Sequence, residues 1–470
     1  MEERHPLYRS FRSRGLFSTR VSHPDHVRYH GVVFAYFKTH FGQHRILGGA
    51  AVLAVTQAAA SVAGLVRDRL LNETFTGDLS VVDAYIASFR PSDLLFQLTV
   101  MSGISTVLVP LLARARASES DPSNVLSSVM AVGSLAFGAI ALVCGVLFPM
   151  IAPLLVDFHG PALALYIQFG RIALLTNVLF VCGNSVGQYL VSVQKYWLYG
   201  ITPVLYTIGT IVGTLFLTPL YGALGPMLGT LGGAVVYVLL RVLGALYAGY
   251  RPRFIFWHPA LSTMGVLMLP RMAALAVLQV QLLLFDTLAS GLPAGSVTIN
   301  SNARNFQSFV VGVIGIALAQ SAFPLLSQAA AKGEKHRFVS YVRKGVWMIV
   351  GLTLPAAVAL VFATPIAAHL VHLEGVYSAF AAAIFMYALS IPFESLNHLV
   401  LRSYYALHVT ALPAAFSVLN GALAIAIAWS AAPFLGIQAI PLGFVIGQAA
   451  SLMGLAALLP FATRRGLSNP

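Results

Sequence analysis

Beyond residue 45 the chain alternates long apolar runs with short polar breaks. In the first half the runs fall at residues 46–67, 81–113, 124–150, 161–193, 198–219 and 225–249. In the second they fall at 264–291, 296–330, 342–371, 376–407, 412–434 and 438–463. A helix needs about 20 apolar residues to cross a bilayer core, so the pattern predicts an all-α integral membrane protein with about 12 transmembrane helices. Barrel strands would instead show short alternating segments. Two runs carry polar residues at helical spacing. In the second, Asp83, Arg90, Asp93 and Gln97 are separated by seven, three and four positions, which places them on one stripe of a helix. In the eighth, Arg304, Asn305 and Ser308 share a face with Ser301, Gly312 and Gly315. A polar stripe in a segment otherwise fit for lipid suggests a wall of a wet cavity.

The polar breaks give topology. Residues 1–45 read as a basic tail, 46–250 and 264–463 as two six-helix lobes, 251–263 as a linker and 464–470 as a second tail. Eight basic residues lie in the first tail, and Arg114, Arg116, Lys195, Arg251, Arg253, Lys332, Lys335, Arg337, Arg343, Lys344, Arg464 and Arg465 fall on its side. The opposite connections hold Arg67 and Arg69. Positive residues collect in the cytoplasm, so both termini are expected there. The basic tail is suited to anionic lipid headgroups. Its His26/His30 and His40/His44 pairs are spaced for a metal but have no third ligand in a recognisable pattern, so no metal is expected. The halves echo each other. Lys195 and Pro203 follow the fourth run, His408 and Pro413 the tenth, at an offset of about 210 residues. Such repeats are typical of transporters with a site between the halves.

Composition agrees. Apolar residues make up 58% of the chain and charged residues 9%, with mean hydropathy +0.81; a soluble domain carries about 25% charged residues. The net charge of +13 reflects the cytoplasmic loops and not a nucleic-acid partner. Cys144 and Cys182, both in apolar runs, give no disulfide framework. There is no Walker-type loop and no catalytic constellation, so the chain reads as a transporter and not an enzyme. It needs no cofactor beyond Na+ or H+ coupling, the membrane potential or the substrate's own gradient.

Ten charged residues interrupt the spans: Asp83, Arg90, Asp93, Arg171, Arg241, Arg271, Asp286, Arg304, Glu394 and Arg402. Each costs about 2.5–3.5 kcal/mol at a helix centre, so most must meet water, each other or a ligand. Arg241 and Arg402 lie near cytoplasmic helix ends and can snorkel. Glu394 must find a partner on another helix or titrate. Arg90, Arg171, Arg271 and Arg304 are candidates to hold a phosphate-bearing anion, because the planar guanidinium binds phosphate bidentately. The competing reading pairs Arg90 with Asp83 or Asp93, and Arg304 with Asp286. Six arginines against four acids leave a basic surplus, which favours an anionic substrate. Arg67–Asp68 reads equally as a gate or as a boundary pair.

Particular stretches carry a family resemblance. SVAGLVRD, VVDAYIASFRPSDLL and VLVPLLA in the first half, with LASGLPAGSV, LPAAVAL and LRSYYALHVTALP in the second, resemble the MurJ/MviN lipid II flippases, relatives of the MATE exporters. The resemblance covers about residues 46–463. It implies a V-shaped bundle of two lobes in the bacterial cytoplasmic membrane. It also implies a central cationic cavity that receives an undecaprenyl-pyrophosphate-linked cell-wall precursor. Arg67, Asp68, Asp83, Arg90, Asp93 and Arg402 match family positions, with Asp93 where Asn is usual. Arg90, Arg304, Arg67 and Arg271 would take the diphosphate, Asp83 and Asp93 would orient them or bind sugar hydroxyls, and Glu394 and Asp286 would couple ions. Partners implied are the lipid-linked substrate, membrane lipids and cell-wall synthesis proteins, with the transporter itself monomeric. The chain departs from the pattern at Ala60-Ser61, at Phe96 and Met101, and at Arg304-Asn305, and shows no counterpart of the family's last two helices. The alternatives are a MATE-like cation antiporter and a non-transporting cell-wall scaffold.

Overall fold

The computed structural model describes residues 45–117 and 121–467. Side chains at 45–47, 105–106, 269–271, 273–274 and 465–467 stand outside that description. No strand occurs among the described residues. The first half comprises α1 (Arg45–Thr74), α2 (Ser80–Ala117), α3 (Pro122–Leu155), α4 (Gly160–Ser192), α5 (196–221) and α6 (Gly225–Tyr247). The second comprises α7 (Pro259–Ser290), α8 (Ser296–Ala331), α9 (Lys335–Phe362, continued beyond Ala363 by Thr364–Val371), α10 (Tyr377–Ala406), α11 (Ala411–Leu435) and α12 (Ala439–Leu467). Nine stretches of the described residues are long and apolar enough to cross a membrane. Two of them, Tyr196–Tyr247 and Ala411–Arg464, hold two helices each, and α7 contributes one more. Together they make the twelve passes expected.

The repeat is sharper in the backbone than in the sequence. Gln194 and His408, both at positive φ (59° and 57°), stand 214 positions apart. The glycines that open the turns after α5 and α11, Gly222 and Gly436, keep the same separation, as do the starts of π-helical turns at Gln97 in α2 and Val311 in α8. Packing repeats too. α4 touches α2, α3 and α6, and α5 packs on α6; α10 touches α8, α9 and α12, and α11 packs on α12. Gly229 and Gly233 of α6 meet the α5 backbone, and Gly443 and Gly447 of α12 meet α11. A Cβ at any of the four would run into main chain.

Element ends differ from the apolar runs where polar residues find partners. α1 runs past Arg67 and Asp68 to Thr74, and the two side chains bond each other, with Nη2 to Oδ1 at 2.6 Å. The pair therefore lies inside the helix and not at its end. α2, α5, α9 and α10 run through Pro91, Pro203, Pro355 and Pro392, which loosens these helices without ending them.

The connections at 74–80, 155–160, 221–225, 290–296, 371–377 and 435–439 lie at one end of the bundle, here the Gly77 end, and the others at the Lys195 end. α7 packs on α11 of its own half but also along α2. Bonds between the halves gather toward the Gly77 end. Arg69 Nη1 donates to the His369 carbonyl (2.5 Å) and Asn72 Nδ2 to the Val371 carbonyl (2.7 Å). The Asp157 amide donates to Ser290 Oγ (2.7 Å), and Thr287 Oγ1 to the Leu155 carbonyl (2.6 Å).

Candidate functional site

The stripe on α2 divides into two parts with different work. Asp83, only 2% exposed, reaches across to the start of α8. Its Oδ2 accepts the Gly295 amide (2.6 Å), and its Oδ1 accepts both the amide (2.8 Å) and hydroxyl (2.6 Å) of Thr298. A carboxylate is favoured there by the free amides and dipole of a helix start. Gly295 turns at φ +93°, where a Cβ would be strained. The expectation that Asp83 orients arginines meets a different arrangement: its oxygens are engaged by α8, and it helps join the halves.

One stripe further in, Arg90 Nε donates to Asp286 Oδ2 of α7 at 2.6 Å. Asp286 is buried and Arg90 a quarter exposed, at 24%. The pairing crosses the halves and is neither of those read from the stripe, because the acid on α7 comes closer to the guanidinium than its neighbours on α2. Asp93 instead accepts from Asn177 Nδ2 of α4 (3.1 Å), which also bonds Ser92 Oγ (2.7 Å).

Arg304 lies 214 positions after Arg90, at the equivalent point of α8. Its guanidinium carbon stacks 4.0 Å from the centre of the Phe444 ring, and its buried Nη1 has no hydrogen-bond partner. Gln307, the equivalent of Asp93, donates to Glu394 Oε2 (2.6 Å) and Ser390 Oγ (3.1 Å) of α10. Between the two arginines stands the buried Tyr387, whose hydroxyl donates to Asn300 Oδ1 (2.7 Å). It is within electrostatic reach of Arg90, Asp286, Arg304 and Glu394. The structure thus gathers Arg90, Asp286, Arg304 and Glu394 around Tyr387, with Asp93 in reach of Arg90, one guanidinium neutralised and the other lacking an acid.

The remaining candidates stand elsewhere. Arg67 and Asp68 pair on α1, with Tyr85 and Tyr206 in electrostatic reach; Tyr85 continues through Thr230 to Thr210 at 2.9 and 2.8 Å. Arg402 Nη1 donates to the His398 carbonyl (3.2 Å) on its own helix, toward the Lys195 end. Arg241 does not snorkel: it is 1% exposed and donates to Thr202 Oγ1 and to the carbonyls of Gly183 and Tyr199 at 2.8–3.0 Å. It stacks on Tyr199 and Tyr237 beside a 460 Å³ cavity lined also by Gln57, Ala60 and Asn184. Arg171 faces outward, so it is not part of the central group. The Arg271 side chain and the two histidine pairs of the tail lie outside the described residues. Among those described, no group of three metal-ligating side chains occurs.

A sequence profile of the lipid II flippase MurJ family matches residues 73–468. The chain belongs to that family. Among its relatives, a probable lipid II flippase MurJ of Bdellovibrio bacteriovorus is 24% identical over 433 residues, covering 87% of this chain and 82% of that one. The fold is similar to a lipid II flippase MurJ solved in an inward closed conformation, with TM-score 0.74, 19% identity and coverage of 89% and 90%. It is also similar to an inward-facing multidrug resistance MATE transporter, with TM-score 0.71, 14% identity and coverage of 87% and 96%. Within this MurJ-family fold, Tyr387, Asn177, Gln307 and Thr298 escaped the sequence reading, since neutral polar residues in apolar helices carry little signal. Only the 214-residue repeat, which maps Gln307 onto Asp93, could have singled one out.

Proposed function

We propose that this chain moves a lipid-linked diphosphate, lipid II in keeping with its family, from the inner to the outer leaflet of the bacterial cytoplasmic membrane by alternating access. Residues 46–250 and 264–463 act as the two lobes joined by the 251–263 linker, and the tails 1–45 and 464–470 face the cytoplasm. The Gly77 end is then the outer end. The observation that carries this reading is Arg304: a guanidinium on the stripe of α8 with no acid partner and one buried nitrogen free. Such a group suits a phosphate, whose oxygens accept paired N–H bonds. Arg90 joins it by exchanging Asp286 for the diphosphate, while Asp93 and the neutral Asn177 hold sugar hydroxyls. Arg271 lends a further cation, with Arg67, Asp68 and Arg402 along the path and Asp83 at the outer closure. Glu394, bonded to the neutral Gln307 with His398 one turn on, is the acid that takes up H+ or Na+; Asp286 is engaged by Arg90.

The test is translocation of lipid II and of a cationic dye in proteoliposomes. Arg304→Ala and Arg90→Ala should each abolish lipid flipping at normal expression, and Arg304→Lys should retain part of it. Unchanged flipping in Arg304→Ala would sink the site assignment, and gradient-driven dye export would replace the lipid reading with an antiporter.

A further inference from the structure

The outward surface of α3 and α4 carries a charge that the central site does not use. Arg171 is exposed on α4, and its neighbours on that face, Leu142, Val146 and Leu175, are exposed apolar residues. Its Nε donates to the Gly145 carbonyl of α3 at 2.9 Å. The two terminal nitrogens have no protein partner among the described residues. A charge on a lipid-facing surface costs kilocalories unless it reaches an anion or water.

Its depth decides which. The 33 residues of α4 span about 50 Å and a hydrocarbon core is about 30 Å, so a helix centred on the core and normal to it overshoots by about 10 Å at each end. Arg171 follows Gly160 by eleven residues, or about 16 Å. That puts its Cα about 6 Å inside the hydrocarbon edge. Helical side chains lean toward the helix start, here the Gly77 end, so the guanidinium is carried up to the boundary where lipid phosphates lie.

Below the guanidinium runs a groove of about 540 Å³ between α3 and α4. Leu174, Leu175 and Val178 form one wall, and Gly138, Ala141 and Leu142 the other. From Arg171 to Val178 it descends about 10 Å toward the midplane. A Cβ on Gly138 would meet nothing within 4 Å, so the groove is open at that point. A cation at the headgroup boundary with an apolar channel directly beneath it matches the polarity of one lipid: phosphate above, acyl chain below. We propose that Arg171 and the α3–α4 groove bind an anionic phospholipid of the leaflet at the Gly77 end, separately from the transported substrate.

Native mass spectrometry of the full-length protein in detergent, titrated with phosphatidylglycerol and with phosphatidylcholine of the same chains, tests this. Wild type should retain one phosphatidylglycerol with severalfold preference, because both phosphates accept the same N–H bonds but only that of phosphatidylcholine has its charge compensated, by choline. Arg171→Leu, which gives up one bond to the Gly145 carbonyl but suits a lipid-facing surface, should erase the preference. Arg171→Lys should keep part of it. Gly138→Leu should fill the channel and lower retention of both lipids. A preference that survives Arg171→Leu overturns the proposal. So does displacement of phosphatidylglycerol by equimolar undecaprenyl phosphate, which would assign the groove to the polyprenyl chain of the cargo.

Discussion

Arg90 and Arg304 occupy the same point of the two halves, 214 residues apart, yet their surroundings have diverged. The first meets Asp286 in an ion pair; the second rests on Phe444 and keeps a nitrogen without a partner. The two halves share the position but not the charge balance around it. The same holds one turn on, where Asp93 corresponds to the neutral Gln307. One half can therefore tie the bundle together while the other leaves a cation available. A buried pair contributes little net stability while intact but is costly to break. A cation stacked on an aromatic ring can be removed at much smaller cost.

The largest effect is expected of Asp286→Ala. It leaves Arg90 without its acid and should cost about 3 kcal/mol, the low end for a broken buried pair because Arg90 keeps some exposure. Thermal unfolding in detergent reads this, and adding Arg90→Ala should recover much of the loss. Arg304→Ala should change the melting temperature far less while removing transport; equal destabilisation at both arginines would erase the contrast. Next is Asp83→Asn, which replaces a carboxylate facing three donors with an amide that can accept through one atom only. About 2 kcal/mol should be lost, and a cysteine placed at the buried Ser296 should label faster with a membrane-impermeant maleimide. Asn72→Ala removes one bond between the halves and should cost about 1 kcal/mol, with the same labelling change in weaker form.

The smallest effect contrasts the entries to α3 and α9. Asp121 caps α3 through the Ser123 amide at 2.9 Å, whereas Glu334 makes no side-chain cap to α9. Asp121→Ala should cost about 1 kcal/mol or less, and Glu334→Ala should be near neutral. The Ser123 amide holds the Asp121 carboxyl below its ordinary value of 3.8. A depressed folded value means the cap contributes fully above the unfolded value and fades as pH falls through the folded one. The difference between wild type and Asp121→Ala should be flat from about pH 7 to 5 and shrink below about pH 4.

Helix number and type were legible because each crossing demands a long apolar run, and the repeat because turn positions survive substitution. Partnerships were not. Asp83 is satisfied by amides more than 200 positions away, and main-chain donors have no residue identity to read. Arg90 shares its helix face with Asp83 and Asp93, so local spacing suggested them, but the acid it meets is on α7. Arg171 shows a further limit. Apolar residues occur on every side of α4, so periodicity does not distinguish the side facing lipid from the side facing the bundle.

The closure at the Gly77 end has an evolutionary consequence. Arg69, Asn72 and Thr287 donate to the carbonyls of His369, Val371 and Leu155. Each contact is thus specified by a side chain on one side and by bare backbone on the other. The accepting positions can drift in identity without loosening the closure, whereas the donors cannot. Homologues compared at these six places should show constrained residues opposite variable ones, and pairwise covariation there should be weak even though the two halves touch.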